Sequence, residues 1–213
     1  MTPSSQDDLE RLGVSRETRA KLEGLQAELQ RWSPRINLVS PATLKEAWRR
    51  HVMDSAQLFP LGLDNARLWT DLGSGGGFPG LVVAILAQQL APELRLRLVE
   101  ADRRKTVFLA EAARRLELSV DIQCRRIEAA APRDGDVISA RALAPLPKLL
   151  TLAVPQALAP AIFLFPKGRK AQDELTAARR HWHMDVVAHP SATDPESVIL
   201  EIRNVRSRTG PRP

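Results

Sequence analysis

Four glycines fall within five residues in DLGSGGGFPG, Asp71 to Gly80. Glycines let a backbone turn sharply and approach a ligand closely, and four together carry an entropic cost that a plain turn does not require. The stretch follows an apolar run, RLWTDL, and opens a helical one, so its N–H groups gather where a helix N-terminus favours electronegative groups. No Lys-Ser or Lys-Thr follows Gly80, which excludes a P-loop gripping a phosphate chain and its metal. Gly75, Gly77 and Gly80 fit G-x-G-x-x-G, the dinucleotide fingerprint, while Asp71, Gly73, Gly75 and Gly77 fit acid-x-G-x-G-x-G equally well. A carboxylate at Asp71 would repel a pyrophosphate but suits a ligand bearing positive charge. Glu100 ends the next apolar run, where a carboxylate can accept hydrogen bonds from both hydroxyls of a ribose. Arg141 and Lys167 each follow a later run, and either can pair with a carboxylate, a phosphate or the Hoogsteen edge of a guanine.

These residues need a frame. Strands are expected at 67–72, 93–100, 120–124, 136–140, 161–166, 183–189 and 197–203, and helices at about 80–90, 103–116, 146–158 and 170–181. That alternation predicts an α/β fold with a mostly parallel sheet and helices on both faces. Only seven residues or so separate the last two strands, so they form an antiparallel pair at the sheet end. Asp71, Glu100, Arg141 and Lys167 then share the carboxyl edge, where such sheets bind ligands. Ahead of them lies a helical region. Ser15 caps a helix whose Leu22, Leu25, Leu29 and Trp32 share a face, and Ser33-Pro34 stops it. Shorter helices follow at about 43–51 and 54–59. The end after Val205, rich in Arg, Gly and Pro, is read as a loose tail.

The acid-x-G-x-G-x-G register resembles motif I of S-adenosylmethionine-dependent methyltransferases. Gly73 follows the strand at once, so the dinucleotide register starts two residues late, and the terminal antiparallel pair resembles a methyltransferase sheet. Methylating C5 of a pyrimidine calls for a cysteine nucleophile, and the only cysteine, Cys124, lies mid-pattern and is expected in the core. Methylation of exocyclic amines is associated with Asn/Asp-Pro-Pro-aromatic after the fourth strand, where this chain reads SARALAP. A ring nitrogen such as guanine N7 has a lone pair and no proton, so an acceptor of that kind needs no general base. His181 and His183 lie two apart with no Cys or acidic cluster beside them, so no metal is expected.

Over about 29–202 the chain resembles the bacterial small-subunit rRNA methyltransferase G family, also called glucose-inhibited division protein B. NLVS (37–40), RHVMDS (50–55), DLGSGGGFPGL (71–81), LVEADRRKTVFL (98–109), RRIE (125–128), SARALAPL (139–146) and PKG (166–168) carry the likeness. It implies a class I S-adenosylmethionine-dependent methyltransferase fold, a Rossmann-like, mostly parallel seven-stranded sheet with a helical N-terminal extension. Residues 1–60 would be that extension, 61–205 the cofactor-binding domain and 206–213 a basic tail. The implied activity is methyl transfer from S-adenosylmethionine to N7 of a guanosine in 16S rRNA, without a metal. Gly73, Phe78, the pair Ile127-Glu128 and Arg141 are the implied cofactor contacts, beside Asp71, Gly75 and Glu100 from the fold-level motif. Arg141 and Lys167 are the candidate catalytic residues. His51, Asp54 and Ser55 fall in the motif of the extension, where they either contact rRNA or fix the extension against the cofactor site. Gly76 stands where Ala or Pro is commoner, and Pro166 where an apolar residue usually precedes the lysine.

Composition agrees with a globular chain: 213 residues, 44% hydrophobic and 26% charged, with a net charge of +6. One cysteine excludes an internal disulfide framework. The N-terminus is acidic where a signal peptide needs a basic start, and the longest apolar stretch, Leu81 to Ala87, is too short to span a bilayer. A monomeric cytoplasmic protein with no membrane partner is expected, acting on 16S rRNA or the small ribosomal subunit. Two other readings stay open on sequence: a small-molecule methyltransferase, and a non-catalytic S-adenosylmethionine-binding regulator.

Overall fold

Seven strands form one sheet in the order β3-β2-β1-β4-β5-β7-β6. The computed structural model describes residue 9 and residues 12–63, 66–130 and 134–208. β1 (Leu68–Leu72), β2 (Arg95–Glu100), β3 (Val120–Cys124), β4 (Gly135–Ser139) and β5 (Ala157–Lys167) run parallel. β6 (Trp182–Pro190) and β7 (Val198–Ser207) form the hairpin, with β7 antiparallel to both β5 and β6. The strand order reverses between β1 and β4, the place where open α/β sheets part to receive a ligand. β1 is buried along its whole length, as a central strand covered on both faces must be.

One face is covered by α1 (Arg16–Trp32), α4 (Gly80–Leu90) and α5 (Arg103–Arg115), the other by α6 (Leu146–Ala153) and α7 (Ala171–Ala178). Ser15 caps α1 by accepting from Thr18 N at 3.1 Å. Leu22, Leu25 and Leu29 are fully buried on its inner face, and Trp32 meets Phe108 of α5 edge-on at 5.9 Å. Gln89 at the end of α4 accepts from Thr18 Oγ1 at 2.6 Å and from Ser15 N at 2.9 Å. α4 is buried from Gly80 to Ala87 because it lies between the sheet and α1, which explains its apolar composition all round.

Several boundaries differ from the sequence expectation. In place of one helix over 43–51 there is a single turn, α2 (Pro41–Leu44), and then a π-helix, Trp48–Met53, in which Asp54 N reaches back to Arg49 O. α3 (Asp54–Ala56) is likewise shorter than the expected 54–59. α6 stops at Ala153, not at 158, because Pro155 has no N–H to continue the ladder; a 3-10 turn, Val154–Gln156, leads into β5 four residues early. β7 extends to Ser207, into the segment read as a tail, and residues 209–213 lie outside the described residues. Cys124 is exposed, not in the core: it ends β3, an edge strand, whose sheet position could not be read from its own pattern. Among the described residues no helix is long and apolar enough to cross a membrane.

Because α1 shares the core of α4 and α5, Leu22→Ala is expected to destabilise the whole protein by about 2–5 kcal/mol. Urea unfolding checks this, and a cost within error would mean that α1 is merely appended.

Candidate functional site

The glycine loop begins where β1 ends. Gly73 (φ +67°), Gly75 (φ +52°) and Gly77 (φ +86°) all occupy the left-handed region that side chains rarely adopt. Gly73 N donates to Val99 O at 2.8 Å and Gly77 N to Ser74 O at 2.7 Å, which folds the loop tightly over the ends of β1 and β2. A Cβ on Gly73 would lie 2.7 Å from Leu143 Cδ1. A Cβ on Gly80 would lie 2.1 Å from Leu98 and 2.8 Å from Asp71 Oδ2, so α4 enters the sheet as closely as a backbone can.

Asp71 lies beneath this loop, with no exposure at all. Its Oδ1 accepts from Ser139 Oγ at 2.7 Å, its Oδ2 accepts from Gly80 N at 3.1 Å, and Trp69 Nε1 donates to Ser139 Oγ at 2.8 Å. The carboxylate therefore points into the protein, with both oxygens bonded there. Burial raises its pKa from 3.8 to about 6 against the opposing pull of these donors.

Glu100 reaches the cleft. It accepts from Gly75 N at 2.9 Å and from Asp102 N at 2.8 Å, one bond to each carboxylate oxygen, which fixes the group and leaves lone pairs for a ligand. The cleft, about 390 Å³, is lined by Gly73, Gly75, Glu100, the turn of Ile127 and Glu128, and Arg141. Gln156 Nε2 donates to Ile127 O at 2.9 Å and holds that turn to the sheet.

A second cleft of about 660 Å³ adjoins the first, and the segment from Arg141 to Ala144 lines both. Its other walls come from Arg50 and Asp54 of the N-terminal segment, Lys167 at the end of β5, and Glu174 of α7. Lys167 Nζ lies 2.8 Å from Glu174 Oε2 and donates to Ala144 O at 2.9 Å. Arg141 Nη1 donates to Arg50 O at 2.9 Å and lies 3.3 Å from Asp54 Oδ2. Burial pulls the Arg141 guanidinium below its ordinary pKa, against the opposing effect of Asp54. Phe78 is buried under Arg141, its ring 5.2 Å from the guanidinium carbon, and does not line either cleft. His51 packs against Phe78 with ring centroids 5.1 Å apart, and its Nε2 lies 3.1 Å from Thr43 Oγ1. Burial, and then the charges of Arg141 and Arg50, lower the His51 pKa to about 4, so the ring is neutral at pH 7. Asp54 Oδ1 accepts from Thr193 Oγ1 at 2.9 Å, and Gln57 Oε1 accepts from Ala192 N at 2.9 Å, so the loop between β6 and β7 clamps this segment.

The sequence profile described as rRNA small subunit methyltransferase G matches residues 18–199. The chain belongs to the rRNA small subunit methyltransferase G family. A relative of that name from Cereibacter sphaeroides is 49% identical, over 92% of this chain and 95% of its own. Another, from Parvibaculum lavamentivorans, is 49% identical, over 92% of this chain and 88% of its own. In fold it is similar to a methyltransferase from Geobacter sulfurreducens (TM-score 0.57, 16% identity, 89% of this chain and 96% of that one). It is also similar to an O-methyltransferase from Bacillus cereus in complex with SAH (TM-score 0.56, 14% identity, 84% and 90%). The expected class I methyltransferase architecture is thus present.

This member of the rRNA small subunit methyltransferase G family brings Gly73, Gly75, Glu100, Ile127, Glu128 and Arg141 to one cleft, and Arg141 with Lys167 to its neighbour. Asp71 and the ring of Phe78 stay outside both, for the packing reasons above. Ser139, Trp69, Glu174 and the loop from Ser191 to Thr193 were not singled out from sequence. Ser139 was marked only by its place at the end of the fourth strand and at the head of the SARALAPL motif; the others carry no signal.

The raised pKa of Asp71 makes stability depend on pH. The folded protein keeps that proton where the unfolded chain has lost it, so between about pH 4 and 6 stability falls as pH rises, by roughly 3 kcal/mol in all. Wild type minus Asp71→Asn, from urea unfolding at pH 4 to 7, is expected to show this fall; a difference that climbs with pH would contradict a desolvated carboxylate.

Proposed function

We propose that this chain transfers a methyl group from S-adenosylmethionine to N7 of a guanosine in 16S rRNA. It does so as a cytoplasmic monomer, acting on the RNA or on the small ribosomal subunit that contains it. When bound, S-adenosylmethionine supplies a methyl group on a sulfonium, which a nucleophile attacks in line. The chain's part is to hold both reactants. Gly73 and Gly75 admit the cofactor close to the backbone, in a cradle that a Cβ on Gly73 would crowd against Leu143. Glu100 accepts the ribose hydroxyls, the turn of Ile127 and Glu128 borders the adenine, and Arg141 pairs with the carboxylate. Asp71 serves by tying the loop to the sheet, and Phe78 by supporting Arg141. Residues 1–60, as the extension, supply the wall carrying Arg50 and Asp54. Arg141 and Lys167 orient the guanine through O6 or a neighbouring phosphate.

The observation that carries the N7 reading is the condition of the acids in the second cleft. Asp54 and Glu174 line it, and each is held in an ion pair, with Arg141 and Lys167 respectively. His51 is buried against Phe78, bonded to Thr43, and is not among the residues lining the cleft. An exocyclic amine must lose a proton on methylation, whereas guanine N7 offers a bare lone pair and asks nothing of a base.

Radiolabelled methyl transfer to 30S subunits lacking the modification is expected to yield 7-methylguanosine on nuclease digestion of the 16S rRNA. Label in any other nucleoside would refute the N7 assignment. For the cofactor cradle, Gly73→Val is expected to abolish binding in calorimetry, and Glu100→Ala to weaken it by about 1–3 kcal/mol. Unchanged affinity in folded variants would remove these residues from the site.

A further inference from the structure

The cleft assigned to the cofactor carries more positive charge than that cofactor can use. Lys105, Arg125, Arg126, Arg141 and Lys148 line it, against two carboxylates, Glu100 and Glu128. S-adenosylmethionine has an ammonium, a sulfonium and a single carboxylate, so one cation answers its negative group and further ones repel the rest. Arg141 is already matched with Asp54. Among the described residues the side chains of the other four have no acidic partner: the Arg125 guanidinium has a long bond to Ala129 O at 3.4 Å, and the side chains of Lys105, Arg126 and Lys148 have no hydrogen bond or ion pair, Lys105 meeting Asp102 only through its backbone N–H.

Their placement also works against the fold. Lys105 lies in the first turn of α5 behind Arg103 and Arg104, and Lys148 in the first turn of α6; the acids at these ends, Asp102 and Glu174, already accept from backbone N–H groups, Asp102 from Arg104 N and Lys105 N and Glu174 from Leu146 N. Cations at these ends oppose the helix dipole. α5 and α6 cover opposite faces of the sheet, and Arg125 with Arg126 follow β3, so the charges approach the cleft from three elements. In the second cleft Arg141 and Lys167 are both paired, and among the described residues Arg50 is the one lining cation there whose side chain has no acidic partner.

We infer that Lys105, Arg125, Arg126 and Lys148 hold the sugar-phosphate backbone of the substrate RNA across the mouth of the cofactor cleft, while the target base enters the neighbouring cleft. The inference rests on the reading of the chain as an rRNA methyltransferase. The strand then covers the cofactor, which must load first.

The test uses the full chain, saturated with S-adenosylhomocysteine, binding unmodified 30S subunits over a range of salt. Lys105→Gln/Lys148→Gln and Arg125→Gln/Arg126→Gln are each expected to bind at least about tenfold more weakly at low salt. Each is also expected to flatten the log–log salt slope by about 1.4–1.8, the share of two phosphate contacts. Cofactor affinity in calorimetry should stay at the wild-type value or rise. Arg95→Gln, removing an exposed cation at the opposite end of the sheet, should leave the slope unchanged. Wild-type slopes in both double variants would overturn the inference, and so would a loss of cofactor affinity that accounts for the weaker binding. A wild-type protein that neither binds nor methylates 30S subunits or naked 16S rRNA would instead overturn the underlying reading, before any variant is made.

Discussion

Asp71 gives its two oxygens to Ser139 of β4 and to the first N–H of α4, so β1, β4 and the glycine loop are joined where the strand order reverses. Enclosing a carboxylate costs several kcal/mol unless donors meet it. Trp69 contributes indirectly: its N–H occupies the Ser139 oxygen, which leaves the hydroxyl hydrogen aimed at Asp71. Burial still raises the pKa to about 6, so the donors only partly offset desolvation. The gap that opens between β1 and β4 in such a sheet would otherwise be free to spread. Here its floor is fixed, and the three positive-φ glycines can hold a loop shape that no side chain would keep in place.

Arg141 has the matching role on the upper side. It belongs to the wall between the two clefts, and it is gripped from the N-terminal segment by Arg50 O and Asp54, with the Phe78 ring, which His51 also packs against, beneath it. Asp54 is in turn held by Thr193 of the β6–β7 loop. The segment carrying Arg50 and Asp54 is therefore part of the cleft wall: without it, Arg141 would lose both the carbonyl and the carboxylate that orient it. A guanidinium with its donors already directed loses less freedom on meeting a ligand than a free one does. The π-helix from Trp48 to Met53 carries the Arg50 carbonyl to this place, and such widened turns recur near functional sites.

Much of this was legible in the residue pattern. Parallel strands buried on both faces appear as short apolar runs, and β1 to β4 begin and end within about two residues of those runs. The glycine loop and Glu100 were legible because a backbone constraint or a strand-end acid leaves a mark in composition. The partners of Asp71 were not: Ser139 is 68 residues away, and a serine closing a strand has no distinctive sign. Nor could the direction of Phe78 be read, since a residue at a loop corner may face either the cleft or the extension. The π-helix escaped because WRRHVM has the same apolar spacing whether it winds with 3.6 residues per turn or more. Cys124 looked like a core residue until the sheet order placed β3 at the edge.

The two clefts divide their electrostatics in opposite ways, and that division fits the chemistry assigned to each. On the acceptor side every acid lining the cleft is matched with a cation, so no carboxylate there is free to compete with an incoming lone pair for a cation or to take up a proton. On the cofactor side, among the described residues, four cationic side chains have no acidic partner around two acids, Glu128 and Glu100, and the oxygens of Glu100 are each already held by a backbone N–H. A small cationic ligand entering there finds attraction at Glu100 and repulsion around it, which favours a single placement. A polyanion finds the reverse: it is drawn to the rim and turned away from Glu100. Two ligands of opposite sign can thus use one opening without exchanging places, and the polyanion, once seated, reduces the repulsion that the cations exert on the ligand below it.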